Sequence, residues 1–227
     1  VDGPRTDAND KTVRTYYSQN SSPTCASTET CQFRKGDLQY VDRYVDGTIY
    51  QRIEFMTYDS AGRVLRQKDA NGVITELTYH ARGWLASRTV RANADGTANS
   101  ALDAVTTIAY EAATGLGGPV GARRLKSITD NLNNRKELLR DAAGNVLIDK
   151  TLEGSTLRRR VAQQYNLLGQ LERVRDALTS SAQPLSAGDV DNPVKGRMRA
   201  EYLYDENGNR TQALDGLSHD TDYEYDP

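Results

Sequence analysis

The chain has 227 residues, enough for one large domain or two ordinary ones. Its 29 basic and 31 acidic residues nearly cancel, which leaves no basic footprint for nucleic acid or an anionic membrane. Only 37% of residues are hydrophobic, with 2 Phe against 13 Tyr, so a thin core spread over a wide sheet is expected.

The chain opens with Val1-Asp2-Gly3-Pro4, without a basic-then-apolar leader, so no signal peptide is read there. No later run approaches the roughly 20 apolar residues of a membrane-spanning helix. Cys25 and Cys31 lie in a Ser/Thr-rich stretch. Their spacing without a nearby His is unlike zinc spacing, so a surface loop is expected, with a local disulfide if the compartment is oxidising.

From Tyr58 onward an internal repeat organises the chain. Tyr58-Asp59-Ser60-Ala61-Gly62 aligns with Tyr204-Asp205-Glu206-Asn207-Gly208. Counting Tyr as zero, a second Asp stands at +11 (Asp69, Asp215), Thr at +17 (Thr75, Thr221) and a new Tyr at +21 (Tyr79, Tyr225). Asp-x-x-Gly supplies turn chemistry: the carboxylate caps backbone N–H groups and Gly takes a positive φ. Residues 63–68 then read as a strand, and Asp69-Ala70-Asn71-Gly72 as a second turn. Thr75, Leu77 and Tyr79 alternate with polar residues, as in a strand with one buried face.

Tyr79-His80-Ala81-Arg82-Gly83 is a weaker copy with His in the Asp position. Residues 92–100 and 114–121 are small and polar and read as inserted loops. Arg124-Leu125 to Asp130 repeats the spacing of Arg63-Val64 to Asp69. Leu132 to Leu139 has a helical flavour but falls in a strand position, where tertiary context should prevail. Asp141 and Gly144 follow with Arg140 in the Tyr position, then Tyr165 and Gly169 with Asp176 at +11. Residues 180–193 read as another loop, and Asp2-Gly3 resembles Asp215-Gly216.

Each unit is thus turn, strand, turn, strand. The fold class expected is all-β: repeated antiparallel β-hairpins forming an extended, curled sheet, either a shell segment or a β-solenoid. Residues 1–227 are expected to form a single array, interrupted by loops near 18–35, 92–104, 112–122 and 180–195. A lone hairpin is marginal in water, so neighbouring units must share a core.

The Tyr-Asp-x-x-Gly unit recurring at 21 residues resembles the YD repeat of RHS proteins. Stretches such as Asp69-Ala70-Asn71-Gly72-Val73 and Tyr204-Asp205-Glu206-Asn207-Gly208-Asn209-Arg210-Thr211 resemble bacterial members closely. The resemblance implies a β-sheet strip that spirals into a hollow shell around a toxic C-terminal domain, in a secreted or cell-surface bacterial protein. It implies as partners the rest of a parent chain and its cargo effector. The chain starts in mid-unit and stops at Tyr225-Asp226-Pro227, so both ends are expected to be cut from a longer polypeptide.

No catalytic motif, cofactor fingerprint or metal-ligand spacing stands out. His80 and His219 are expected as surface turn residues, and no enzyme activity is expected. The carboxylates Asp59, Asp69, Asp141, Asp205 and Asp215 recur as turn caps; the Asp-x-Asn-x-Asp-Gly spacing of a calcium loop is missing. A structural shell or scaffold is the leading reading. A glycan-binding adhesive module, using the tyrosines and Trp84, and a filament that self-associates through open sheet edges are the alternatives.

Overall fold

The computed structural model describes residues 11–21, 32–45, 47–111, 124–180 and 183–225. Cys25 and Cys31 lie outside the described residues. The chain divides into two compact halves, Val1–Thr107 and Ile108–Pro227.

The first half is a meander of strands β1 (Lys11–Tyr16), β2 (Leu38–Val45), β3 (Thr48–Tyr58), β4 (Val64–Lys68), β5 (Ile74–Tyr79), β6 (Leu85–Val90) and the start of β7 (Ala104–Tyr110). Each strand pairs antiparallel with the next in sequence. The second half continues from the end of β7 through β8 (Leu125–Asp130), β9 (Asn134–Arg140), β10 (Val146–Glu153), β11 (Thr156–Tyr165) and β12 (Leu171–Asp176). A small side ribbon of β13 (Leu178–Ser180) and β14 (Gln183–Pro184) intervenes, together with a single 3-10 turn at Ala187–Asp189. Strand β15 (Met198–Tyr204) then returns to pair with β12, followed by β16 (Arg210–Asp215) and β17 (Asp220–Asp222).

The protein is all-β, built from repeated antiparallel hairpins, and the stretch 132–139 lies in the turn before β9 and in β9 itself. Strand pairing overrides the helical flavour there: Arg135, Lys136 and Glu137 face Leu152, Thr151 and Lys150 across the ladder.

The core is thin. Among the described residues the buried apolar side chains are Tyr58 and Ile74 in the first half, and Ile148, Leu152, Ala162 and Leu185 in the second. Most strand side chains are half-exposed, so cross-strand pairs rather than a deep interior hold the sheet. Charged ladders serve here, such as Lys150–Glu137 at 2.8 Å and Arg173–Glu201 at 2.6 Å.

Within each half, an inserted loop among the described residues folds back over a sheet face. In the first half, residues 91–103 are pinned by the buried Asp103, which accepts from the Ala92 and Asn99 amides and from Arg91 Nη1. Arg91 also pairs with Glu76. The loop lies so close to β4 and β5 that a Cβ at Gly96 would stand 1.8 Å from Arg66 Nη2 and 2.8 Å from Ile74 Cδ1.

In the second half, residues 185–197 form a strap over β10 and β11. Arg160, 2% exposed, donates Nε to Val190 O at 2.8 Å, Nη1 to Lys195 O at 3.1 Å and Nη2 to Asn192 O at 2.5 Å. Its Nη1 also reaches Asp176 O at 3.3 Å. Lys150 adds an ion pair to Asp191 at 2.6 Å.

Candidate functional site

The repeated chemistry of this chain sits where one repeat unit meets the next. In each Tyr-containing hairpin the closing pair of the ladder joins the Tyr to the residue six positions later: Tyr58 to Val64, Tyr79 to Leu85, Tyr165 to Leu171 and Tyr204 to Arg210. Arg140 takes the same position opposite Val146. The ladder shifts register at every one of these pairs, the local mark of a bulge.

The five residues between are a tight turn. Asp59 Oδ1 accepts from the amides of Ala61 and Arg63, both at 2.9 Å, and Asp205 Oδ1 from those of Asn207 and Asn209 at 2.9 and 2.8 Å. Asp141 caps Gly144 and Asn145 in the same way, and Asn166 caps Leu168 and Gln170. The second carboxylate oxygen takes the side chain four residues on: Arg63 for Asp59, Asn145 for Asp141, Asn209 for Asp205. These bonds hold the carboxyls below their ordinary range. In Asp205 the Asn209 side chain leads; in Asp59 burial opposes the shift but the Arg63 bonds outweigh it. His80 stands in the Asp position and keeps the backbone pattern, with its amide on Trp84 O at 2.8 Å and its carbonyl taking the Gly83 amide at 2.8 Å.

At the opposite sheet edge the same turn recurs. Asp69 caps Asn71 and Val73. Asp130 caps Leu132 and Asn134, and Asp215 caps Leu217 and His219. The residue that must turn left-handed is Gly72 at φ 82°, but Asn133 at 62° and Ser218 at 66° in the other two. The glycine beside Asp215, Gly216, does not carry the positive φ; Ser218 does. His219 Nδ1 lies 2.9 Å from Asp215 Oδ2, the contact that Asn134 makes with Asp130. Asp176, the corresponding Asp of the third copy, builds no such turn. It closes the base of the strap, its amide donating to Arg197 O and its carboxylate pairing with Arg197 at 2.5 Å.

Two ties, neither evident from spacing, join successive units. The first is the tyrosine hydroxyl. Tyr79 Oη donates to Val64 O at 2.9 Å, Tyr204 to Leu171 O at 2.7 Å and Tyr225 to Arg210 O at 3.0 Å. In every case the acceptor is the residue six past the preceding Tyr. Arg140, in the Tyr position, reproduces the tie through Nη1 to Leu125 O at 2.7 Å. Tyr58 reaches Leu38 O at 2.5 Å. Burial, with the Asp37 carboxylate and the Tyr17 phenol nearby, pushes the Tyr58 hydroxyl up to about 12, and burial raises Tyr79 and Tyr165 in the same direction.

The second tie runs the other way. The side chain just before the returning strand reaches the next unit's turn. Gln170 Nε2 donates to Gly208 O at 3.0 Å, and Arg124 donates to Asp141 O at 3.1 Å and Ala142 O at 3.3 Å. Arg63 packs against Gly83, where a Cβ would meet its Nη1 at 2.9 Å, and stacks 4.7 Å over the Tyr79 ring. Thr75 is buried between Gln67 and Val90, whereas Thr221 pairs with Ala213 on the exposed β17. Gly169, at φ 79°, ends the Asn166 turn with open space around it.

Among the described residues, no three His, Cys, Asp or Glu side chains group where a metal ion could be held. An open cleft of about 410 Å³ in the first half is lined by Arg52, Glu54, Lys68 and the turn 69–72. Arg52 there is held by Asp42 through two bonds of 2.7 and 2.8 Å and lies over the Tyr40 ring.

Residues 58–98 match the family model of the RHS repeat. No curated protein sequence matches the chain. Among solved structures, the chain is similar to the complex TcdB2-TccC3-Cdc42, with 14% identity, a TM-score of 0.48, and coverage of 90% of this chain and 12% of that one. It is also similar to TcdB2-TccC3 without its hypervariable C-terminal region, at 15% identity, a TM-score of 0.42 and coverage of 90% and 10%. A third is the Tc holotoxin pore of Photorhabdus luminescens, at 16% identity, a TM-score of 0.31 and coverage of 89% and 14%. The chain therefore spans about an eighth of the length of these solved chains.

Proposed function

Taking the RHS repeat at residues 58–98 as the premise, we propose that the chain is a structural shell segment of a secreted, toxin-associated protein, enclosing or presenting an effector domain of its parent chain. The observation that carries the proposal is what the motif side chains bind. The hydroxyls of Tyr58, Tyr79, Tyr204 and Tyr225 end on backbone carbonyls of the preceding unit, and the turn carboxylates end on backbone amides. Such a motif makes wall rather than chemistry, and repeat arrays extend by adding units that contact only their neighbours. On this reading the chain is not itself an enzyme. Its partners are the remainder of a parent chain and the effector.

Electron microscopy of the purified chain across a concentration series, with matched light scattering, tests the reading. Particles of fixed mass at every concentration are expected of a wall segment. Filaments that lengthen with concentration would overturn it in favour of an assembly unit joined through sheet edges.

A further inference from the structure

The strap at residues 185–197 is attached to the sheet in an unusual way. Its own backbone bonds are short-range: Asp189 to Ser186, Asn192 to Asp189 and Lys195 to Asn192. Among the described residues, its backbone bonds to the surrounding structure are confined to its two ends, from the Leu185 amide to Ala177 O and from the Asp176 amide to Arg197 O. Between these ends it is held by side chains rising from the sheet, chiefly the Arg160 guanidinium with its three strap carbonyls, and Lys150 on Asp191. On the sheet, Ile148 and Ala162 face each other across β10 and β11, and both are fully buried; Leu152 further along β10 and Leu185 on the strap are each 8% exposed.

Gly196 supplies a joint. It sits at φ 112°, and a Cβ there would stand 2.1 Å from Asp176 O, so the strap's C-terminal end is seated directly on the end of β12. A segment with end anchors, internal turns and one buried pin has what local opening requires: few backbone bonds to break and one concentrated attachment.

We propose that residues 185–197 open as a separate cooperative unit while β10 and β11 stay paired, and that Arg160 is the pin that sets how often they do so. Opening uncovers the face of β10 and β11 that Arg160 and Lys150 share with Ile148 and Ala162. The pin works because one planar guanidinium satisfies carbonyls from three positions of the strap at once; a lysine in its place has a single ammonium and cannot span them. Burial works against the charge of the guanidinium and lowers its pKa, and Asp191, Asp176 and Asp189 around it offset only part of that.

Hydrogen exchange read by mass spectrometry on the full chain tests this. In the unaltered protein, the bonded strap amides of Asp189, Asn192 and Lys195 should exchange at least ~10-fold faster than ladder amides of β10 and β11. Arg160→Met keeps the volume and removes the donors; strap exchange should rise again while β10 and β11 remain protected. Arg160→Ala should behave likewise, and millimolar guanidinium should restore its strap protection by filling the vacated position. Strap and strands exchanging together at one rate would overturn the separate unit. Unchanged strap exchange in Arg160→Met would overturn the pin, and that variant serves if the alanine variant does not fold.

Discussion

Single residues in this chain act through backbone groups. Ser218 is the clearest case: it holds φ 66° in the position where Gly72 and Gly208 hold 82° and 87°. A left-handed conformation costs a residue with a Cβ roughly 1–2 kcal/mol, and glycine escapes that cost. Ser218→Gly should therefore raise the thermal midpoint, with a gain on the order of 1 kcal/mol, and Gly62→Val should lower it by at least as much. Differential scanning calorimetry checks both. The Tyr58 hydroxyl sets a second expectation. Its pKa lies near 12 in the fold against 10.0 when free, so the neutral hydroxyl favours the folded chain. That contribution is complete below pH 10 and is lost as pH rises toward 12. Alkaline titration of the thermal midpoint should show the fall, and Tyr58→Phe should flatten it.

At the scale of the element, the capped turn is the reproducible part. In Asp130 and Asp215 hydrogen bonds shift the carboxylate down from 3.8, led by the Asn134 side chain and by the His219 amide respectively. A lowered folded value means stability that is present above 3.8 and drains away as pH falls through the folded values. Acid unfolding should therefore set in below about pH 4. Asn166 shows that an amide oxygen can cap the same turn. Asp205→Asn should accordingly keep the fold at neutral pH and blunt the acid sensitivity; circular dichroism between pH 2 and 7 decides. The turns were legible in the sequence because their chemistry is local: Asp, Gly and the bonds between them span four residues. The ties were not, because they link residues 15 to 38 apart and depend on the strand register. Arg140 was visible in the Tyr position, but only the geometry shows that its guanidinium makes the phenol's tie there. Gly216 stands beside Asp215, yet the turn geometry puts the left-handed residue two positions later, at Ser218.

At the scale of the molecule, stability is a sum over neighbours. Each tie joins one unit to the one before it or after it, so damage at one junction should leave distant junctions intact. Tyr79→Phe and Tyr204→Phe each leave a carbonyl without its donor and should each cost about 1 kcal/mol. The double variant should cost their sum to within about 0.5 kcal/mol, because the two junctions share no partner. Chemical denaturation of the four proteins measures this, and a strongly non-additive result would mean that the array melts as one block. The all-β class and the repeat were readable from the 21-residue spacing. The strap was not, because Arg160 in the sequence is one of three consecutive arginines, and only burial marks it out.

The tyrosine tie also has a direction in time. A ribosome releases the chain from its N-terminal end, and domains order as they emerge. Each phenol reaches back to a carbonyl that was synthesised 15 or more residues earlier. When Tyr79 leaves the exit tunnel, Val64 is already outside and its hairpin is free to form. For this tie every new unit thus meets a finished docking point; only the side-chain ties of Gln170 and Arg124 wait for the next turn. A wall made this way can be laid down course by course, each course cured against the last before the next arrives.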